Sequence, residues 1–425
     1  MTSQAKSTDH PTLEEGYKAE LMLRLSRELQ RGPCDFGWLV RRAEGAYPSD
    51  VLAALRQLEA SGEISLTSAG DWKRGSAPEA PARRWSKDAE TPESAVSCLP
   101  EPHPLDFDWR FSMRTLYTLH RSMNVSSDEL VAILGAPTLY KYLVDSGVRA
   151  ELFDKNAQIV RGLKEGGYKS VTECDLFELS AETPRFDWAI ADPPWYIEHY
   201  RAFLEAGREV LLPGGRMLMS VLPRLTRPSA ARDRFQVVES AARLGFDLTE
   251  ISAGALHYDS PAFEIEALRA EDLVVGEWRT GDLFSFVMRS RAPRKDVRLT
   301  KVKDTERERW ESIPLGRTTV KIKVEQSDSR EPFDFKAASS TGSVRLRSVS
   351  RRSPARSRIN LWTSRNVALT ITKPEMVAEL LRKATSGGSA SDALAVTAYE
   401  YQLSDNELDR LRLLLELLDS ESKLR

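Results

Sequence analysis

The sequence predicts an α/β protein: a doubly wound Rossmann-like domain flanked by an N-terminal winged-helix-like domain and a small C-terminal α+β domain. Three observations carry this expectation. Strand-like and helix-like stretches alternate five times between Phe107 and Arg291. A glycine or an aspartate falls at the end of each of the first four strands. The segments on either side lose that alternation.

At 425 residues the chain exceeds one ordinary core, so two or three domains are expected. It contains no apolar run of about eighteen residues, and "MTSQAKSTDHPTLEEG" lacks the charged-then-apolar order of a signal peptide. A cytoplasmic protein without a membrane partner is expected. Cys34, Cys98 and Cys174 lie far apart with no histidines nearby, which points away from a disulfide framework and from a metal site. The net charge of −2 gives no global pull toward nucleic acid, leaving only local segregation of charge.

Residues 1–75 carry three helical patterns. The first is "YKAELMLRLSREL"; the second, "DFGWLVRRAEG", has Asp35 as cap; the third, "PSDVLAALRQLEASGEI", is opened by Ser49 or Asp50 and ended at Gly62. "EISLTSAGDWKR" then reads as a small strand and wing. The layout resembles a winged helix, which implies a third helix able to enter a DNA groove. That helix offers only Arg56 as an outward base, so a packing role, a protein partner or a homodimer contact stands beside DNA binding. Residues 76–105, rich in proline, serine, alanine and charge, read as a linker.

Residues 106–293 form the Rossmann-like domain. "ELVAILG", "RAELFD", "KSVTECD" and "FDWAIAD" are its first four strands, "TLYKYLVDSG" and "KNAQIVRGLKEGG" the first two helices. "HYRAFLEAGREVL" is a helix and "GGRMLMSVLP" a fifth strand. "FQVVESAARLG" is helical, with "FDLTEISAGAL" and "DLFSFVMRS" as later strands.

Ligands of open α/β sheets bind beyond the carboxyl ends of the strands. Gly135 closes the first strand, where a missing side chain lets a cofactor approach the backbone. Asp154 closes the second, nineteen residues on, near the spacing at which a carboxylate accepts both hydroxyls of a ribose. Asp175 closes the third and is suited to an adenine amino group, with Leu176 or Phe177 against the ring. Asp192 closes the fourth and opens "DPPW". Two prolines cannot extend a ladder and stiffen the backbone. They aim the Asp192 carboxylate and the Pro193 and Pro194 carbonyls at one point, beside the flat face of Trp195. Such a point suits a desolvated amine held in line with an electrophile. His199, a lone histidine on a helix, reads as structural; Tyr258 is expected at the edge of the pocket.

"ADPPWY" resembles the Asp-Pro-Pro-Tyr/Trp motif of class I S-adenosylmethionine-dependent methyltransferases that act on planar amines, typically N6 of adenine or N4 of cytosine. The resemblance covers residues 109–290. It implies S-adenosyl-L-methionine as cofactor, held near Gly135, Ala136, Pro137, Asp154, Asp175 and Leu176, and catalysis at Asp192, Pro193, Pro194 and Trp195. The first strand ends in "LGAPTLYKYL" and lacks the family's Gly-x-Gly loop. That stretch, the "DPPW" and the N-terminal layout also resemble branched-chain polyamine synthases, which implies aminopropyl transfer as an alternative. Those enzymes carry an acidic run where this chain has Gly135, Ala136, Pro137 and Thr138. A catalytically inactive scaffold is the third reading.

Residues 294–425 form the C-terminal domain. Its strand "TTVKIKV" precedes a segment, Ser340 to Asn366, with seven arginines, no acid and Trp362. Arginine with an aromatic residue suits phosphate contact and base stacking, which makes Arg345–Arg365 the expected surface for a nucleic acid or nucleotide substrate. Serine and proline there equally suggest a loop. "KPEMVAELLRKATSGG" and "SDNELDRLRLLLELLDS" are amphipathic helices, the latter opened by a Ser404–Glu407 capping box.

Overall fold

The computed structural model describes residues 12–75, 80–84, 98–179, 185–289, 309–324, 331–386 and 389–423. Most of the expected linker and the boundary between the central and C-terminal domains lie outside the described residues.

The central sheet follows from short apolar runs buried on both faces, the composition of parallel strands covered by helices. Five strands run parallel: β3 (Val131–Leu134), β4 (Ala150–Asp154), β5 (Val171–Glu173), β6 (Phe186–Ala191) and β7 (Leu211–Val221). Two longer ones, β8 (Phe246–His257) and β9 (Thr280–Met288), close one side antiparallel, giving the order β5-β4-β3-β6-β7-β9-β8. All four β3 residues are buried, and they alternate between two cores. Ala132 and Leu134 join the side covered by the helices Ile197–Val210 and Ala230–Arg243. Val131 and Ile133 join the side covered by Met113–Met123, Pro137–Asp145 and Ala157–Glu165. The doubly wound α/β expectation is met. The helices Met113–Met123 and Ala262–Arg269 were not expected, and β5 stops at Glu173, so Asp175 stands two residues beyond its strand.

The N-terminal unit has three helices, α1 (Leu13–Leu29), α2 (Phe36–Arg42) and α3 (Pro48–Ala60), and the hairpin β1 (Ile64–Leu66) with β2 (Trp72–Arg74). Asp35 caps α2 through the Trp38 N–H, but α3 starts one residue before the serine expected to cap it. Tyr47 is its cap residue, with no side-chain bond, and Pro48 pre-sets the first turn. Within the stretch expected as linker, Arg83 exchanges backbone hydrogen bonds with Pro33 and Asp35 and reaches Glu28. The apolar core of this unit also takes in Leu225, Leu268, Leu273 and Trp278 from the central domain. Each fully buried side chain of this size contributes about 1.5–3 kcal/mol, so the two units are one packed body.

The C-terminal unit is an antiparallel sheet of β10 (Trp310–Leu315), β11 (Thr318–Lys323), β12 (Phe335–Ala337), β13 (Leu361–Thr363) and β14 (Ala368–Ile371) under helices, ordered β10-β11-β13-β14-β12. β10 and β11 face the carboxyl ends of the central parallel strands, and Trp362 packs with Phe263 and Ala267 across the boundary. Buried His103 fixes the joint: its Nε2 donates to the Trp362 carbonyl at 3.0 Å and its Nδ1 accepts the Leu105 N–H at 3.1 Å. Among the described residues no helix is long and apolar enough to cross a membrane.

Gly135 follows β3 with φ +68°, and a Cβ there would lie 3.2 Å from the Phe203 ring. Both the backbone region and the space favour glycine. Gly135→Ala is expected to lose about 1–3 kcal/mol of stability, read as a lower urea midpoint at unchanged slope. An unchanged midpoint would show that the loop relaxes freely.

Candidate active site

The turn after β6 is built from the backbone outward. The Asp192 N–H continues the ladder to the Leu134 carbonyl at 3.2 Å, and the prolines then end it. The Pro194 carbonyl accepts the Tyr196 N–H at 2.6 Å. That bond takes one lone pair of a carbonyl expected to face a ligand alongside Asp192 and Pro193. The Trp195 carbonyl accepts from Arg227 Nη2 at 2.6 Å, and Arg227 is itself held by Asp233 at 2.9–3.0 Å, which also accepts from Ser229. The turn is therefore clamped on both sides.

Asp192 ends a directional chain of hydrogen bonds. Trp195 Nε1 donates to Ser220 Oγ at 3.3 Å, Ser220 lies 2.5 Å from the Tyr258 hydroxyl, and Tyr258 donates to Asp192 Oδ1 at 2.8 Å. An indole N–H only donates, so Ser220 accepts there; Tyr258 gives its one proton to Asp192, so Ser220 donates to Tyr258. Burial pushes the Asp192 carboxyl up to about 7, against the lowering hydrogen bond from Tyr258. Burial likewise raises Asp154 to about 7; the Asn156 N–H at 2.8 Å opposes it, while the charges of Asp108 and Asp106 add to it.

Two cavities meet at this turn. The first, about 450 Å³, is lined by Gly135, Pro137, Asp154, Asp175, Leu176 and Phe177, and is closed by Ser312 and Lys321 of the C-terminal sheet. Lys321 pairs with Asp106, which also accepts from Asn156 Nδ2 at 3.2 Å. The second, about 430 Å³, is lined by Pro193, Trp195, Tyr196 and Tyr258. Tyr47, Ser49 and Asp50 of the N-terminal unit and Arg351 and Arg352 of the C-terminal unit complete its wall. Asp192, Pro194, Phe107 and Trp109 line both. Of the residues expected to hold a cofactor, Ala136 is set apart: it is buried at the start of the helix Pro137–Asp145 and lines neither cavity.

Several residues of the second cavity had no signal in the sequence. The Arg279 guanidinium lies 4.4 Å from the Trp109 ring centre, 5.1 Å from Trp278 and 5.2 Å from Trp195, so the motif tryptophan already carries a cation on its ring. Glu264, 1% exposed, lies 3.7 Å from Arg279. His199 is packed among Phe107, Phe177 and Tyr196, and burial lowers it to about 4, consistent with a structural role.

The arginine segment is largely committed to the protein itself. Arg345 pairs with Glu266 and Glu421 at 2.7 Å, Arg351 with Glu198 at 2.9 Å, and Arg365 with Glu101 at 3.4 Å. Arg356 covers the Phe107 and Trp362 rings. Trp362 is fully buried, which corrects the expectation that it stacks on a base. Arg347, Arg352 and Arg358 are exposed.

No protein-family model matches the sequence, and no curated protein matches it. Solved structures do. The branched-chain polyamine synthase C9 mutein from Thermus thermophilus, in complex with N4-aminopropylspermidine and 5′-methylthioadenosine, aligns at TM-score 0.49 and 16% identity over 66% of this chain and 92% of that one. The branched-chain polyamine synthase from the same organism gives 0.47 and 17% over 68% and 90%. A TehB-like SAM-dependent methyltransferase from Corynebacterium glutamicum gives 0.31 and 13% over 42% and 89%.

Removing the Tyr258 hydroxyl removes a donor that stabilises ionised Asp192. In Tyr258→Phe the Asp192 titration is expected to move above its value of about 7, by up to about one unit, followed by carboxyl-carbon NMR. A downward shift would contradict the hydrogen-bond chain.

Proposed function

We propose that the chain is an S-adenosylmethionine-dependent N-methyltransferase whose acceptor is a planar amine, the exocyclic amine of a nucleobase. The observation that carries this reading is that Asp192 and Pro194 belong to the walls of both cavities, so one turn faces a cofactor on one side and an acceptor on the other.

The first cavity fits the cofactor. Gly135 leaves the space a Cβ would fill, Asp154 offers a buried carboxylate to ribose hydroxyls, Asp175 suits the adenine amino group, and Leu176 and Phe177 give the ring apolar faces. When bound, S-adenosylmethionine supplies an electrophilic methyl group on a sulfonium centre. The chain's own part is positioning and proton handling. The Asp192 carboxylate and the Pro193 carbonyl accept the hydrogens of the amine and fix its lone-pair direction. The clamp on Trp195 by Arg227 holds that geometry. Asp192, with a pKa of about 7, takes the proton the amine releases and returns it to solvent. Exposed Arg347, Arg352 and Arg358 supply phosphate contacts for a nucleic acid or nucleotide, with Arg352 at the rim of the second cavity.

A specific observation favours aminopropyl transfer as a second reading. Asp106, Asp108, Asp154, Asp175 and Asp192 line the first cavity against Lys155, Arg161 and Lys321, five acids to three bases. An acidic excess suits a cofactor that has lost its carboxylate. Preference for decarboxylated S-adenosylmethionine over S-adenosylmethionine separates the two.

Asp192→Asn is expected to lower transfer of labelled methyl to nucleosides or nucleic acid by about 10²-fold or more, with S-adenosylhomocysteine affinity within a few-fold of wild type. Wild-type transfer should rise with pH through about 7, as Asp192 ionises, and level off above it. Asp154→Asn should instead weaken S-adenosylhomocysteine binding, measured by calorimetry. Cofactor binding with no transfer to any acceptor would favour the scaffold reading.

A further inference from the structure

The second cavity has a polar end that the transfer chemistry does not use. Glu264 is 1% exposed, lines the cavity, and neither of its carboxylate oxygens accepts a well-formed hydrogen bond among the described residues. The Tyr47 hydroxyl interacts with the Glu264 carboxylate from outside good hydrogen-bond geometry, and the buried Trp109 and Trp278 indole N–H groups have no acceptor among the described residues. These four side chains come from the N-terminal unit, the segment before the Rossmann sheet, the helix after β8 and the loop that leads into β9. Buried polar groups are nearly always satisfied, so such a concentration around one cavity asks for a ligand that completes it.

The chemistry of the missing group can be narrowed. Arg279, at 3.7 Å, already offsets the charge of Glu264, so a second cation beside that guanidinium would be repelled. What the site lacks is hydrogen-bonding capacity of both kinds: donors for the carboxylate and acceptors for two indole N–H groups and a phenol. Paired hydroxyls supply both without charge, and their carbon skeleton lies against aromatic faces. Tyr47 and Trp278 offer such faces, set edge to face with ring centres 5.4 Å apart.

We propose that this end of the cavity is a subsite for a vicinal diol, the ribose of a ribonucleoside or ribonucleotide acceptor, with Glu264 accepting from its hydroxyls and Tyr47 and the indoles donating to them. The inference rests on the nucleobase reading and narrows it from nucleobases in general to those carried on ribose. It also gives the N-terminal unit a function: Tyr47, at the start of α3, is a specificity residue.

The test is equilibrium binding of adenosine and cytidine against 2′-deoxyadenosine and 2′-deoxycytidine to the full chain, read by quenching of indole emission. At least one ribonucleoside is expected to bind about tenfold or more tightly than its deoxy counterpart. That ratio should fall toward one in Tyr47→Phe and in Glu264→Gln, the first variant keeping the aromatic wall should the second fail to fold. Equal affinity of each ribo and deoxy pair for the wild type would overturn the subsite and leave the nucleobase reading standing. A ratio that survives intact in folded Tyr47→Phe and Glu264→Gln would overturn the assignment to these residues. Absence of binding by all four nucleosides would overturn both the subsite and the reading beneath it.

Discussion

The parallel pairing of β3 with β4 on one side and β6 on the other is the constraint from which the site follows. The chain leaves β3 toward β4 and β5 and then returns to β3's other edge as β6, so the loops after β3 and β6 part in opposite directions. A crevice opens between them. Gly135 sits at one lip and Asp192 at the other, and the Asp192 N–H still bonds to Leu134 at 3.2 Å. The prolines stop the ladder at the point where continuing it would fill the crevice.

The outer units complete what the sheet begins. β11 brings Lys321 to Asp106 at the mouth of the first cavity, while Tyr47 and Arg352 come to the second from opposite ends of the sequence. Burying so many acids has a cost. Asp154 and Asp192, both raised to about 7 from the ordinary 3.8, bind protons more tightly folded than unfolded. Each therefore removes stability as pH rises between those values.

Much of the central domain was legible because its signals are local. A buried parallel strand is a short apolar run, a strand end is a change of composition, and "DPPW" is a contiguous motif whose stiffness can be reasoned from proline alone. Asp154, Asp192 and Gly135 were readable for this reason. Tyr258 was expected at the pocket edge, but its bond to Asp192 was not, since it joins residues 66 positions apart. Arg279, Glu264 and Tyr47 carry no periodic or motif signature; their meaning comes from packing between units. The arginine segment was legible only in part, for the complementary reason. Composition displays charge but not the acids elsewhere in the chain that pair with it, as Glu198, Glu266 and Glu421 do. Trp362 looked available because sequence does not show that His103 and Phe263 lie against it.

The central claim is that one turn faces both a cofactor and an acceptor, and an experimental structure with S-adenosylhomocysteine bound tests it most directly. The account predicts the adenosine against Asp154, Asp175 and Leu176, with the sulfur turned toward Asp192 and Pro194 and the second cavity beyond it. Adenosine seated outside the first cavity, or a sulfur directed away from Asp192, would contradict it.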